Sequence, residues 1–149
     1  MIGDTNFLAN YLKNGGDPNL KKEGSPLLAL CWVGSGCGYK CAAMLLESGA
    51  KADATTSYGD TALMEAAMWA DTEGMRLLLR YGANPNAKNQ GGETPLHRLA
   101  SSSSTLEAVK VLVEAKANIN AKTKEGETVL DHLKSEPKVV EYLRQIGAR

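Results

Sequence analysis

The sequence predicts an all-α solenoid in which helix-turn-helix units stack side by side, joined by short hairpin-like turns. Three observations point to it. A Thr or Ser opening an apolar run recurs at Ser25, Thr61, Thr94 and Thr128, with steps of 36, 33 and 34 residues. A pair of residues closing a second apolar run, small throughout except at Lys116, recurs at Gly15-Gly16, Gly49-Ala50, Gly82-Ala83, Lys116-Ala117 and Gly147-Ala148, with steps of 34, 33, 34 and 31. Two independent marks therefore share one period, which is how a repeat architecture shows itself in a sequence. Finally, no apolar run in a unit is long enough to be stable as a lone helix, so neighbours must bury one another's faces.

Each element follows in order. Phe7 to Asn14 reads as a second helix without its first, and "DPN" at Asp17 to Asn19 reads as the turn after it. The first full unit starts near Lys22, with Ser25 opening a short helix; the excess "GSGCGYK", Gly34 to Lys40, has three glycines and reads as an irregular loop. The second unit runs from Thr61 through "ALMEAA" to a helix around Leu78. In the third, Thr94 is a good N-cap, Pro95 sits where its missing N–H costs nothing, and Leu96, Leu99 and Ala100 make the inward face. "SSSST", Ser101 to Thr105, reads as a polar loop before a helix carrying Val109, Leu112 and Val113. The fourth unit, opened by Thr128, is shorter. The turns "KAD", "NPN" and "NIN" follow the closing pairs at Lys51, Asn84 and Asn118.

"GETPLHRLA" with "AVKVLVEAKANINA", and "GDTALMEAA" with "GMRLLLRYGANPNA", resemble ankyrin repeats, a family whose unit is about 33 residues with a T-P-L-H-x-A signature. The resemblance covers nearly the whole chain. It implies one domain over 1–149: an N-terminal half repeat over 1–21, repeats over 22–56, 57–90 and 91–123, and a capping repeat over 124–149. It also implies that Thr94 and His97 are structural, bonding to each other and to backbone to hold repeats in register. Leu28, Met64 and Asp131 replace the histidine in the other units, so register there is expected to lean on apolar packing.

All three cysteines, Cys31, Cys37 and Cys41, fall within eleven residues. Three readings stay open: reduced and partly buried thiols, one disulfide between two of the three, or a metal site, although their spacing matches no common zinc pattern. At Lys116 the chain must either hold a left-handed residue with a Cβ or reshape the turn, at about 1 kcal/mol.

The chain has 149 residues, 43% of them hydrophobic, and 17 basic against 17 acidic residues. A balanced charge predicts no nucleic-acid partner. No apolar run approaches the ~20 residues that cross a bilayer, so no membrane insertion is expected. "MIGDTNFLANYLK" lacks the features of a leader, which still leaves the compartment open: cytoplasmic by family habit, periplasmic or secreted by the cysteine cluster. No catalytic constellation can be assembled: "GSGCG" lacks the context of a phosphate loop, the serine run lacks a nucleophile elbow, and Glu125 and Glu127 read as solvated. His97 and His132, 35 residues apart, could be neighbours on adjacent units, but no cysteine or carboxylate is expected on their shared face. The expectation is a non-enzyme with no cofactor and no metal.

In arrays of this resemblance partners dock on the concave side, formed by hairpin tips and by exposed first-helix positions. Counting along the sequence puts Trp32 and Val33, Met68 and Trp69, and Ser101 and Ser102 there, bordered by Tyr58, Asp60, Gln90 and Glu93. Both tryptophans land on that face, the composition expected of a binding hot spot, unless either folds onto Leu28, Met64 or the loop as local core. The expected function is a monomeric protein-binding module that inhibits or sequesters one partner, in the manner of stand-alone bacterial ankyrin proteins that block an enzyme. An adaptor joining two partners is the alternative, and a redox- or metal-responsive switch at the cysteines is the third.

Overall fold

The computed structural model describes residues 4–31, 37–100, 106–133 and 135–149. Along the chain lie α1 (Thr5–Lys13), β1 (Lys21–Lys22), β2 (Ser25–Pro26), α2 (Leu27–Leu30), α3 (Gly38–Glu47), α4 (Ala62–Met68), α5 (Thr72–Arg80), α6 (Pro95–Ala100), α7 (Leu106–Glu114), α8 (Val129–His132) and α9 (Pro137–Gln145). The first helices of successive units, α2, α4, α6 and α8, pack on one another in sequence order; so do the second helices, α1, α3, α5, α7 and α9. The protein is thus an all-α solenoid of two helical layers. The only strands among the described residues are β1 and β2, an antiparallel hairpin, while Thr55 with Thr61 and Lys122 with Thr128 form single bridges at the same place in later units.

The core runs unbroken between the layers. Leu28, Leu63, Leu96 and Val129 enter it from the first helices, and Leu8, Leu45, Leu78, Leu112 and Leu143 from the second. Fully burying one such side chain contributes roughly 1.5–3 kcal/mol, and successive units share each layer, so the short helices gain from stacking what they lack alone.

The closing pairs explain themselves in hydrogen bonds. The second residue of each pair, Gly16, Ala50, Ala83, Ala117 and Ala148, donates its N–H to the carbonyl of Tyr11, Leu45, Leu78, Leu112 and Leu143 respectively, at 2.9–3.0 Å. This bond caps a helix end when the preceding residue is left-handed. Gly82 provides that residue at φ 86°, and Lys116 is held there at φ 66°. At the starts, Thr61 Oγ1 accepts from Met64 N–H and Asp71 Oδ1 from Gly74 N–H, satisfying amides the helix leaves without partners.

Two expectations need correction. α3 begins at Gly38, inside the stretch read as loop, because Cys37 and Cys41 are one helical turn apart and both face the core. The fourth unit does not rely on apolar packing alone. Asp131 Oδ2 accepts from both the N–H and the Oγ1 of Thr128 at 2.8 Å, so a carboxylate restores the cap that histidine makes in the third unit.

Candidate functional site

α4 positions the centre of the candidate surface. Ala62, Leu63, Met64, Ala66 and Ala67 are buried, which leaves Glu65 and Met68 partly covered on the other side and Trp69, at the C-cap, 64% exposed. Trp69 is followed by Ala70 in the left-handed region at φ 51°, whose N–H still reaches the Ala67 carbonyl at 3.0 Å. The indole is therefore presented by a fixed turn. At the other end of α4, Tyr58 on the hairpin tip is 72% exposed, and its N–H bonds to Thr56 Oγ1 at 3.2 Å.

Between these rings lies a polar network that joins the second and third units. Asn89 Nδ2 donates to Asp60 Oδ1 at 2.9 Å and to Glu93 Oε2 at 2.7 Å. Arg98 Nη1 lies 3.7 Å from Glu93 Oε2, and its Nη2 rests on Met68 Sδ at 3.7 Å. Gln90 donates from its side chain to the Ser57 carbonyl at 2.8 Å and from its main chain to the Tyr58 carbonyl at 3.0 Å. Of the surface residues named from sequence, Met68, Trp69, Tyr58 and Asp60 thus flank one strip, whereas Gln90 ties its hairpin to the preceding one and Glu93 is held by Asn89 and Arg98 of its own unit. Trp32, Val33, Ser101 and Ser102 lie outside the described residues. Arg98, Glu65 and Asn89 were missed; Arg98 and Glu65 occupy half-buried first-helix positions that the repeat count could have singled out.

The two histidines also meet. His97 is fully buried, with Nδ1 2.9 Å from Thr94 Oγ1 and accepting from Thr94 N–H at 3.2 Å. Its ring meets that of His132 edge to face, and His132 Nε2 is 2.9 Å from Glu127 Oε2. The carboxylate that was not expected beside this pair is therefore present, because the fourth hairpin folds Glu127 back toward α8. Even so, no group of three or more His, Cys, Asp or Glu among the described residues is placed to hold a metal ion. Burial lowers the His97 pKa below its ordinary 6.5, against a hydrogen bond with the Glu127 main chain.

Of the cysteines, Cys37 and Cys41 have Cα atoms 5.6 Å apart and their sulfurs in contact. Cys31 stands outside that pair, and burial pushes its thiol up to about 12.

A family model for ankyrin repeats (3 copies) matches residues 1–89 and 75–149. The chain belongs to the ankyrin-repeat family. Over 60 residues it is 40% identical to the inactive serine/threonine-protein kinase TEX14 of Bos taurus, and over 64 residues 42% identical to ankyrin repeat and SOCS box protein 16 of Mus musculus. These stretches are 40% and 43% of this chain but only 4% and 14% of the relatives' own lengths. Ankyrin arrays are protein–protein interaction modules and are generally non-catalytic. No helix among the described residues is long and apolar enough to cross a membrane.

Proposed function

We propose that this ankyrin array grips a single protein partner with its first-helix face, the concave side in the family, and acts by covering what it holds, so that the partner is inhibited or sequestered. One observation carries the reading. Trp69 is the large apolar residue of the described first-helix layer that keeps most of its side chain in solvent, while Leu28, Leu63, Met64, Leu96 and Leu99 are buried. Exposed indoles on rigid elements bind with little loss of conformational freedom, which is why tryptophan dominates interface hot spots.

An adaptor reading has its own observation: Phe7, Tyr39 and Tyr81 are exposed on the second-helix layer. A photo-crosslinking residue at position 69, compared with one at position 81, separates the two. One dominant adduct from position 69 alone supports the inhibitor; different proteins from the two positions support the adaptor. Adducts from position 81 only would rule out the first-helix face. For the cysteines, the sulfur contact supports a Cys37–Cys41 disulfide that fastens the start of α3, and Cys31, with so high a thiol pKa, is poorly suited to redox exchange.

A further inference from the structure

Between Tyr58 and Trp69 the surface carries more negative charge than it cancels. Arg98 approaches Glu93 at 3.7 Å, acts on Glu65 and spends another nitrogen on Met68 Sδ, while Asp60 is met by the neutral amide of Asn89 at 2.9 Å. The nearby Lys88 is turned away, its Nζ donating to the Lys122 carbonyl at 3.0 Å. Glu65 is the most poorly served. Burial raises its pKa; Arg98 opposes that shift and Asp60 adds to it. Glu65 and Trp69 are four residues apart, hence on one face of α4 and its cap, with the ring within reach of whatever approaches the carboxylate.

We propose, resting on the reading of this face as the partner-binding surface, that it takes an extended, basic peptide segment whose arginine or lysine enters beside Glu65 while apolar side chains lie on Trp69 and toward Tyr58. The charge decides the occupant. Any partner seated here strips more water from Glu65, and an apolar or acidic segment would leave that carboxylate uncompensated, whereas a cation restores what burial removes. The rings favour the same choice, because a cation over an indole or phenol is attracted to its face. The spacing sets a pattern. α4 is about 10 Å long, and same-side residues of an extended chain are about 7 Å apart, so apolar residues belong two positions to either side of the cation.

Random dodecapeptides displayed on phage, selected on the immobilised full chain, test this. We expect winners with Arg or Lys two positions from an apolar residue. A synthetic winner should bind Glu65→Gln and Trp69→Ala about tenfold more weakly, and should lose less affinity between about 50 and about 500 mM salt on Glu65→Gln than on the parent. Unchanged thermal unfolding of both variants, and unchanged binding to Glu141→Gln on α9, separate recognition from folding. Winners that lack a cation yet depend on Trp69 overturn the basic-segment proposal and leave the first-helix reading standing. Winners indifferent to Trp69 overturn both. Absence of enrichment over bare support, or cationic winners indifferent to Glu65→Gln, overturns the proposal.

Discussion

The imidazoles of His97 and His132 meet edge to face, ring centroids 5.7 Å apart, across the junction of the third and fourth units. Because Nδ1 of His97 accepts from Thr94 N–H, protonating it would set a donor against a donor inside the core. Burial is the largest cause that holds the His97 pKa below the 6.5 of an unfolded chain; a hydrogen bond with the Glu127 main chain and the Glu93 carboxylate oppose it, while His132 and Lys88 act with it. When pH falls below 6.5 the unfolded chain takes up a proton that the folded one refuses. Its contribution to stability is thus complete above about 6.5 and is lost as pH falls toward the lowered folded value. Urea midpoints measured from pH 7.5 to 5 should fall, and His97→Asn should flatten that slope while costing about 1–3 kcal/mol at pH 7.5. An equal slope in the variant would assign the pH dependence to other groups.

A second prediction concerns the ladder on the turns. Asn19 accepts from Lys51 N–H at 2.8 Å and donates to the Gly49 carbonyl at 3.3 Å; Asn86 does the same with Asn118 and Lys116, and Asn120 with Arg149 and Gly147. At the equivalent place in the first full unit, Asp53 accepts from Asn84 N–H at 2.8 Å, and its carboxylate has no N–H to donate. Asp53→Asn should complete the ladder and stabilise by about 0.5–1.5 kcal/mol in chemical denaturation. A decrease would mean that the charge has another role.

This contrast shows what was legible in the sequence. Period, layers and closing turns were readable because they rest on residue types at fixed spacing: a Thr at the start of α4 and again of α8, Gly82 before Ala83, leucines one unit apart. The Asp131 cap was not, because a carboxylate in place of histidine looks like a loss until its oxygen is seen to face both donors of Thr128. Nor was the strip around Glu65. Tyr58 and Trp69 stand out as bulky aromatics, but the shortage of counter-charge depends on Arg98 of one unit being shared with Glu93 and Met68 of two different units. Single-sequence counting does not reveal such sharing.

Lys116 supplies a third prediction. It holds φ 66°, where Gly15, Gly49, Gly82 and Gly147 stand in the other units at φ 81–100°. Its Cβ crowds the following carbonyl, at roughly 1–2 kcal/mol. Lys116→Gly should therefore raise the unfolding midpoint by an amount equivalent to about 1 kcal/mol, part of the relief being offset by the freer unfolded chain. A lowered midpoint would show that the lysine stem contributes more by packing than its backbone costs.

The cysteines give the last prediction. Cys37 and Cys41 are in sulfur contact, and Cys31 lies in the core with a thiol pushed up to about 12. Alkylation requires both thiolate and access. The native oxidised protein at pH 8 should thus resist iodoacetamide, and after denaturation without reductant it should gain one label, on Cys31. With reductant and denaturant all three residues should be labelled, and the difference in mass on intact protein counts them directly. Three labels without reductant would remove the disulfide and leave Cys37 and Cys41 as packed thiols. If the bridge is present, reducing it frees the start of α3, where Gly38 N–H bonds to the Cys31 carbonyl at 2.9 Å. Hydrogen exchange should then rise at Gly38 to Cys41 and stay unchanged in α5 and α7, because each unit contacts mainly its neighbours.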